Sequence, residues 1–184
     1  MKLKLTLIIA LSVLSSFAFA QKKGQLFGLH YNMSDFNSPA AVKDPLAPKG
    51  YSKVRDMNKG VSVSYWRGIT SKVDLSVKAN AVFRDFSAIY QGETGKTEVG
   101  IELEPALNAR LFPESAKLSP FVTAGAGVGI YNNKFGGYIP AGVGLQVNFE
   151  SVTYLFVQAQ YKFTLTKDVL GDNLFYSIGF AQKF

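Results

Sequence analysis

The sequence predicts an all-β protein folded as a closed, up-and-down antiparallel barrel of eight strands. Two observations lead to this prediction. Apolar and polar residues alternate with a period of two along eight segments, which is the pattern of strands whose two faces meet different surroundings. The connections between these segments leave no room for a helix, so successive strands must pair as hairpins.

Residues 120–149 show the alternation most clearly. They form two predicted arms joined by a polar turn at 131–137, where Asn and Gly tolerate the positive φ angles that a turn requires. One face of both arms is apolar, and the other consists of glycine and small polar residues. Glycine is normally poor inside a strand, so a face of glycines indicates a crowded place such as the inside of a narrow barrel.

The remaining strands follow the same pattern. Pro105 falls on the apolar face of one of them, and we expect a bulge or kink there because proline cannot donate a ladder hydrogen bond. The connection 34–58 is too long for an ordinary turn and is predicted to be a functional or mobile loop. The predicted strands are residues 24–33, 59–67, 73–84, 97–111, 120–130, 138–149, 152–163 and 173–184.

Alternation alone does not decide whether the apolar face points outward to lipid or inward to a soluble core. The polar face carries charges of both signs and most strand glycines, and aromatic residues recur near the ends of the apolar face, as in interfacial girdles. These features favour an eight-stranded antiparallel up-and-down transmembrane β-barrel with ion pairs in its lumen. The predicted lumen ion pairs involve Asp74, Lys78, Arg84, Glu98, Glu102, Glu104, Arg110 and Lys162.

Residues 1–20 have the three parts of a secretory signal peptide: two lysines, an apolar run and a small-x-small motif. We expect cleavage between Ala20 and Gln21, which leaves 21–184 as one barrel domain. Loss of the two lysines lowers the formal net charge from +7 to +5, and the remaining basic residues are too dispersed to indicate nucleic-acid binding. The chain has no cysteine, which excludes disulfides, thiolate metal sites and a lipobox.

No pattern in the sequence indicates a catalytic, cofactor or metal site, and we expect no enzymatic activity. His30 is the only histidine and has no evident second ligand or acid partner. The carboxylates of Glu98, Glu102 and Glu104 are interpreted as lumen salt-bridge partners. The glycine repeats do not open a helix and therefore cannot cradle a phosphate. Trp66 is interpreted as an inward-facing core residue.

Segments 120–127 (PFVTAGAG) and 140–144 (PAGVG), with a terminal aromatic residue, resemble the small outer-membrane β-barrel superfamily of the OmpA transmembrane domain, OmpX-like and opacity-type proteins. The resemblance covers nearly all of 21–184. It implies the outer membrane of a Gram-negative bacterium, contact with outer-membrane lipid and lipopolysaccharide, and a barrel without the periplasmic peptidoglycan-binding domain. It also implies that the barrel-assembly machinery reads the last strand, through Tyr176, Ile178, Phe180 and Phe184, although Gln182 stands where an apolar residue is usual.

The function expected from these features is that of a non-enzymatic outer-membrane protein, in which the barrel is the anchor and the loops present an interaction surface. Loop 34–58 is the candidate for binding an extracellular ligand. An eight-stranded lumen is filled by side chains, so no wide pore is expected. Two alternatives remain open: a lipid-modifying outer-membrane barrel enzyme, for which no His–Ser pairing is evident, and a secreted lipocalin-like ligand-binding barrel.

Overall fold

The computed structural model describes residues 24–36, 38–39, 52–85, 97–113, 116–131, 133–149, 152–166 and 171–184, without the side chains of 84–85 and 97–98. The predicted signal peptide, its cleavage site and residues 40–51 of the long connection lie outside this part of the chain. None of the helices in the described ranges has the length and hydrophobicity needed to cross a membrane.

The described residues form one closed antiparallel sheet. Its strands are β1 (Gln25–Asp35), β2 (Asn58–Gly68), β3 (Val73–Asp85), β4 (Thr97–Arg110), β5 (Leu118–Gly125), β6 (Gly127–Tyr131), β7 (Lys134–Phe149), β8 (Thr153–Thr164) and β9 (Asn173–Lys183). Successive strands pair along the chain, except that β5 and β6 do not pair with each other, and β9 closes the barrel by pairing with β1. Both β5 and β6 lie between β4 and β7 and act as two segments of one barrel strand. The barrel therefore has eight strands, and the predicted fold is confirmed.

The connections differ between the two ends of the barrel. One end, here called the long-loop end, carries residues 36–57, 86–96, 132–133 and 165–172. The opposite end, here called the terminal end, carries 69–72, 111–117 and 150–152, together with the start of β1 and the end of β9. The connections at the long-loop end are longer than those at the terminal end, except for the two-residue connection between β6 and β7.

That connection corrects the prediction of a turn over 131–137. Tyr131 pairs with Lys134, and the ladder continues through Phe135, Gly136 and Gly137, which are strand residues. Asn133 has a φ of 57°, so its left-handed conformation reverses the chain within a two-residue turn. The predicted loop 34–58 is also shorter at each end, because β1 continues through Asp35 and β2 begins at Asn58.

Pro105 does not produce the bulge or kink predicted in its own strand. The strand β4 is continuous, and its register with the neighbouring segments is the same on both sides of the proline. The interruption falls instead at Ala126, between β5 and β6. The Ala126 N–H donates to the Pro105 carbonyl oxygen at 3.1 Å, but proline has no N–H for the reciprocal bond. The missing bond therefore breaks the partner strand.

The outer wall is apolar and the lumen is polar, which confirms the predicted orientation of the two faces. Leu29, Ile101 and Val143 are each at least 60% exposed, while Asn32, Asn80 and Gln160 are buried inside the barrel. This distribution of exposed and buried side chains is the reverse of that in a soluble protein, where large contiguous apolar surfaces are rare. The wall therefore has the surface expected of a protein surrounded by lipid.

Glycines on the inward face make space for aromatic rings on the neighbouring strand. Gly127 is the register partner of Tyr138, and Gly144 is the register partner of Phe121. A Cβ atom added to either glycine would collide with the ring of its partner. The predicted crowding of the glycine face is confirmed, since each pair fills the lumen with one large side chain.

We predict that Gly144→Ala destabilises the barrel by about 1–3 kcal/mol, because the new methyl group overlaps the Phe121 ring. Gly137→Ala is the matched control on the same strand, since its nearest contacts would be 3.8 Å and 3.9 Å away. The urea concentration at the midpoint of unfolding from lipid vesicles measures the stability of both variants. Equal midpoints for the two variants would show that the Gly144–Phe121 contact does not limit packing.

Candidate functional site

A cluster of charged side chains lies inside the barrel toward the long-loop end. The strand β4 places Glu102 and Glu104 on the inward face two residues apart, and β8 places Lys162 opposite them. The Lys162 Nζ is 2.6 Å from Glu102 Oε2 and 3.3 Å from Glu104 Oε2, and all three side chains are at most 3% exposed. One ammonium group thus bridges two buried carboxylates.

Neutral side chains complete the coordination of these carboxylates. The Tyr138 hydroxyl is 3.2 Å from one oxygen of each glutamate, and the Tyr131 hydroxyl donates to Glu102. The amide of Asn80 donates to Glu102 at 3.2 Å, and that of Gln160 donates to Glu104 at 2.9 Å. Burying a charge is expensive unless it is both paired and hydrogen-bonded, and here both conditions are met.

Lys78 is the second buried cation of this cluster. It is the register partner of Glu104 across β3 and β4, and its ammonium group donates to the side-chain oxygen of Gln158. Lys78 and Lys162 therefore face Glu102 and Glu104, so the four ionised groups are formally neutral as a set. Such balance is what a narrow interior of low dielectric constant requires.

Between this cluster and the terminal end, an aromatic layer fills the lumen. Trp66 stacks on Phe156 with ring centroids 4.5 Å apart, and Phe121 meets both rings edge-on at 6.0 and 6.2 Å. Trp66 points inward as predicted and is 2% exposed. Tyr154 and Leu26 are buried in the same cluster. The layer adds apolar packing between two groups of charged residues.

The second charged group lies at the terminal end. Arg110 Nη2 donates to Asp74 Oδ1 at 2.9 Å, and Arg110 Nη1 is 3.5 Å from the side-chain oxygen of Gln146. The structure thus places six of the eight charged residues predicted for the lumen inside the barrel. The backbones of Arg84 and Glu98 are register partners, but their side chains lie outside the described part of the molecule.

The alternation of residues did not single out the two tyrosines that bond to these carboxylates. Tyr131 had been placed in a turn, and its inward position depends on the ladder reaching the tip of the β6–β7 hairpin. Tyr138 lies on the same face as Gly142 and Gly144, so the alternation already contained the signal for it. Polar aromatic residues opposite glycines are the pattern that would have identified both.

His30 and Ser64 form a contact that the sequence analysis did not recognise. The His30 Nε2 atom is 2.6 Å from Ser64 Oγ, which also accepts a 2.9 Å hydrogen bond from the Trp66 indole. Within the described structure His30 Nδ1 has no hydrogen-bond partner, so no third group orients the imidazole as in a Ser–His–acid triad. Among the described His, Asp and Glu side chains, no three lie close enough to hold a metal ion.

The two ends of the 36–57 connection are tied together at the long-loop end. The buried carboxylate oxygen Asp35 Oδ1 accepts hydrogen bonds from the Ser38 amide at 3.1 Å and from the Ser52 hydroxyl at 2.8 Å. The Ser52 amide in turn donates to the Ser38 hydroxyl at 2.9 Å. This clasp holds Ser38 and Ser52 beside the end of β1.

The last strand carries the predicted assembly residues on the outer wall. Ile178, Phe180 and Phe184 are exposed on β9 or just after it, and Tyr176 is half-buried on the same face. The Phe184 amide donates to the Gln25 carbonyl oxygen at 3.2 Å. The four side chains are thus presented outward, and recognition by an assembly machinery stays a prediction.

A closed eight-stranded barrel with an apolar outer wall and an ion-paired lumen has the fold of the small outer-membrane β-barrels. Solved structures of this class match the chain. The N-terminal barrel domain of Pseudomonas aeruginosa OprF shares 13% identity, with 88% of this chain and 100% of that chain covered and a TM-score of 0.55. OprG from the same organism shares 12% identity, with 90% of this chain and 98% of that chain covered and a TM-score of 0.56.

A third similar structure is the attachment invasion locus protein Ail of Yersinia pestis, solved in complex with the heparin analogue sucrose octasulfate. It shares 15% identity, with 88% of this chain and 99% of that chain covered and a TM-score of 0.51. Neither the protein-family models nor the curated proteins give a match to this sequence. At these identities the likeness establishes the fold.

We predict that Lys162→Met lowers the free energy of unfolding by about 3–5 kcal/mol, because it leaves two buried carboxylates without their shared cation. Lys134→Met, at an exposed position on β7, is the control. Urea unfolding from lipid vesicles compares them. Neutralising the carboxylates in the triple variant Lys162→Met/Glu102→Gln/Glu104→Gln should recover part of the loss; similar midpoints for Lys162→Met and Lys134→Met would contradict the account.

Proposed function

We propose that the chain is a non-enzymatic outer-membrane protein of a Gram-negative bacterium, with the barrel as its anchor and the long-loop end as an interaction surface. The polarity of the barrel wall is the observation that supports this most strongly. Apolar side chains such as Leu29 and Ile101 cover the outside, while Glu102 and Lys162 pair inside. In lipid, backbone groups must be satisfied within the protein, and a closed barrel does so without an open edge.

The difference between the two barrel ends supports an orientation in that membrane. Outer-membrane barrels have short periplasmic turns and longer external loops. By this rule the terminal end faces the periplasm and residues 36–57 face outward. The Asp35 clasp holds Ser38 and Ser52 at this rim, and the segment between them is the candidate for contacting an extracellular ligand. Ail, which has the same fold, was solved in complex with the heparin analogue sucrose octasulfate, so a barrel of this class can bind such a ligand.

The filled lumen favours an anchor over a wide channel. Trp66, Phe121 and Phe156 form a packed layer across the barrel, and the charged cluster lies on one side of it. Small barrels of eight strands have interiors just wide enough for side chains. A secreted lipocalin-like barrel would instead place apolar side chains around an internal ligand cavity and polar ones outside. The distribution in this chain is the opposite.

A lipid-modifying enzyme is the alternative to which the His30–Ser64 contact lends some support. Both side chains are at most 2% exposed, and they lie inside the barrel next to Trp66. A nucleophilic serine needs access to its substrate and a base held by a third group. The hydrogen bond from Trp66 to Ser64 gives the pair a packing role, and this weighs against catalysis.

A protein with this function would contact outer-membrane lipid and lipopolysaccharide through its outer wall. The barrel-assembly machinery would recognise the last strand during insertion. Tyr176, Ile178, Phe180 and Phe184 supply its outward aromatic and apolar side chains. Residues 1–20 would direct export and be removed after Ala20.

We predict that the expressed protein is found in the membrane fraction and is heat-modifiable. After detergent extraction, the unboiled sample should run faster on SDS gels than the boiled one, because a closed hydrogen-bonded barrel resists unfolding by the detergent. The boiled sample is the internal control. Recovery in the soluble fraction, with the same mobility before and after boiling, would contradict the proposed function.

A further inference from the structure

The outer wall carries an apolar groove of about 640 Å³. Its floor follows one row of register partners across four strands: Met33 on β1, Tyr176 on β9, Ala159 on β8 and Val143 on β7. Val157 and Ile178 line the same groove. Its volume lies within the range of about 300–1,000 Å³ that small-molecule sites occupy.

The groove exists because a small side chain lies among larger ones. Ala159 projects outward between Tyr176 and Val143, its register partners on either side, and leaves a depression in the wall. Val54 and Met57, from the short 3₁₀ turn and the residue after it, cover one end of this depression. Val54 remains 62% exposed, so the turn presents an apolar side chain beside the wall.

Three basic residues are neighbours, in sequence or in register, of residues that line the covered end of the groove. Lys53 and Arg55 flank Val54 in sequence, and Lys59 is the register partner of Met33 in the groove floor. All three are exposed. The nearby acid is Asp56, whose Oδ1 lies 3.4 Å from Arg55 Nε, and both of these side chains are more than half exposed. Among these four described side chains, three cations outnumber one anion, so this part of the rim is net positive.

We propose that this groove binds a membrane lipid whose phosphate headgroup is net negative. One acyl chain lies along the depression at Ala159, and the phosphate contacts Lys53, Arg55 and Lys59. The inference rests on the proposed function, since the groove opens sideways on the apolar wall, where acyl chains are the neighbours in a membrane. Basic residues at a membrane surface attract anionic lipids, so the charged rim supplies the headgroup preference.

Native mass spectrometry of the detergent-extracted barrel tests the proposal with two probes, dimyristoyl phosphatidic acid and dimyristoyl phosphatidylcholine. The two have the same chains and differ in headgroup charge. Wild-type protein should retain phosphatidic acid in preference to phosphatidylcholine. Ala159→Phe, which fills the groove, should abolish the retention, while Ala79→Phe on the exposed wall of β3 should leave it unchanged.

A second pair of variants tests the rim independently of packing. Lys53→Gln/Arg55→Gln should weaken phosphatidic acid binding roughly thirtyfold, as expected for the loss of two cations at a membrane surface. Arg67→Gln/Lys72→Gln, at exposed positions of the terminal end, should not change it. Equal retention of the two lipids by wild-type protein, or equal retention by Ala159→Phe and Ala79→Phe, would overturn the proposal.

Heat modifiability of the same samples distinguishes a failure of the lipid site from a failure of the proposed function. If the wild-type protein is a heat-modifiable membrane barrel and the groove variants behave like their controls, the lipid site is wrong and the proposed function stands. If the wild-type protein shows no heat-modifiable form and does not associate with membranes, the proposed function falls and the lipid site falls with it.

Discussion

The narrow lumen of an eight-stranded barrel is the constraint on which the rest of this structure depends. Every inward side chain must find space there, and every ionised one must also find a partner, because a buried charge is costly unless it is paired. Space comes from glycines such as Gly144, which accommodates the Phe121 ring. Partners come from the chain itself, and the bridge from Lys162 to Glu102 and Glu104 is the central case.

The same constraint divides the roles of the molecule between its surfaces. A lumen closed by Trp66 and Phe156 suits an anchor, and the specific contacts are left to the outer wall and the long-loop end. Asp35 connects these regions, since it ends β1 at the rim and holds both ends of the 36–57 connection. The groove at Ala159 lies beside that connection, so a lipid bound there would also contact the part of the chain that is proposed to bind a ligand.

Period-two alternation predicted the strand number and the face that carries charge, and connections too short for a helix predicted the antiparallel order. It failed where hydrogen bonding between strands decided the outcome. The effect of Pro105 appears at Ala126 because the missing donor faces the neighbouring strand. The turn at Asn133 has only two residues, although Gly136 and Gly137 had indicated a longer one. Contacts such as His30 with Ser64 depend on which diagonal neighbours on adjacent strands meet, and alternation does not contain that information.

An arginine placed on the outer wall gives the most direct test of the central claim that this wall faces lipid. Val63 is exposed in the middle of β2, and Ser71 is exposed in the turn 69–72 at the terminal end. For folding into lipid vesicles, the account predicts that Val63→Arg costs about 2–4 kcal/mol, whereas Ser71→Arg costs about 0–1 kcal/mol. A Val63→Arg variant as stable as Ser71→Arg would contradict the account, because a water-facing wall would accept the charge.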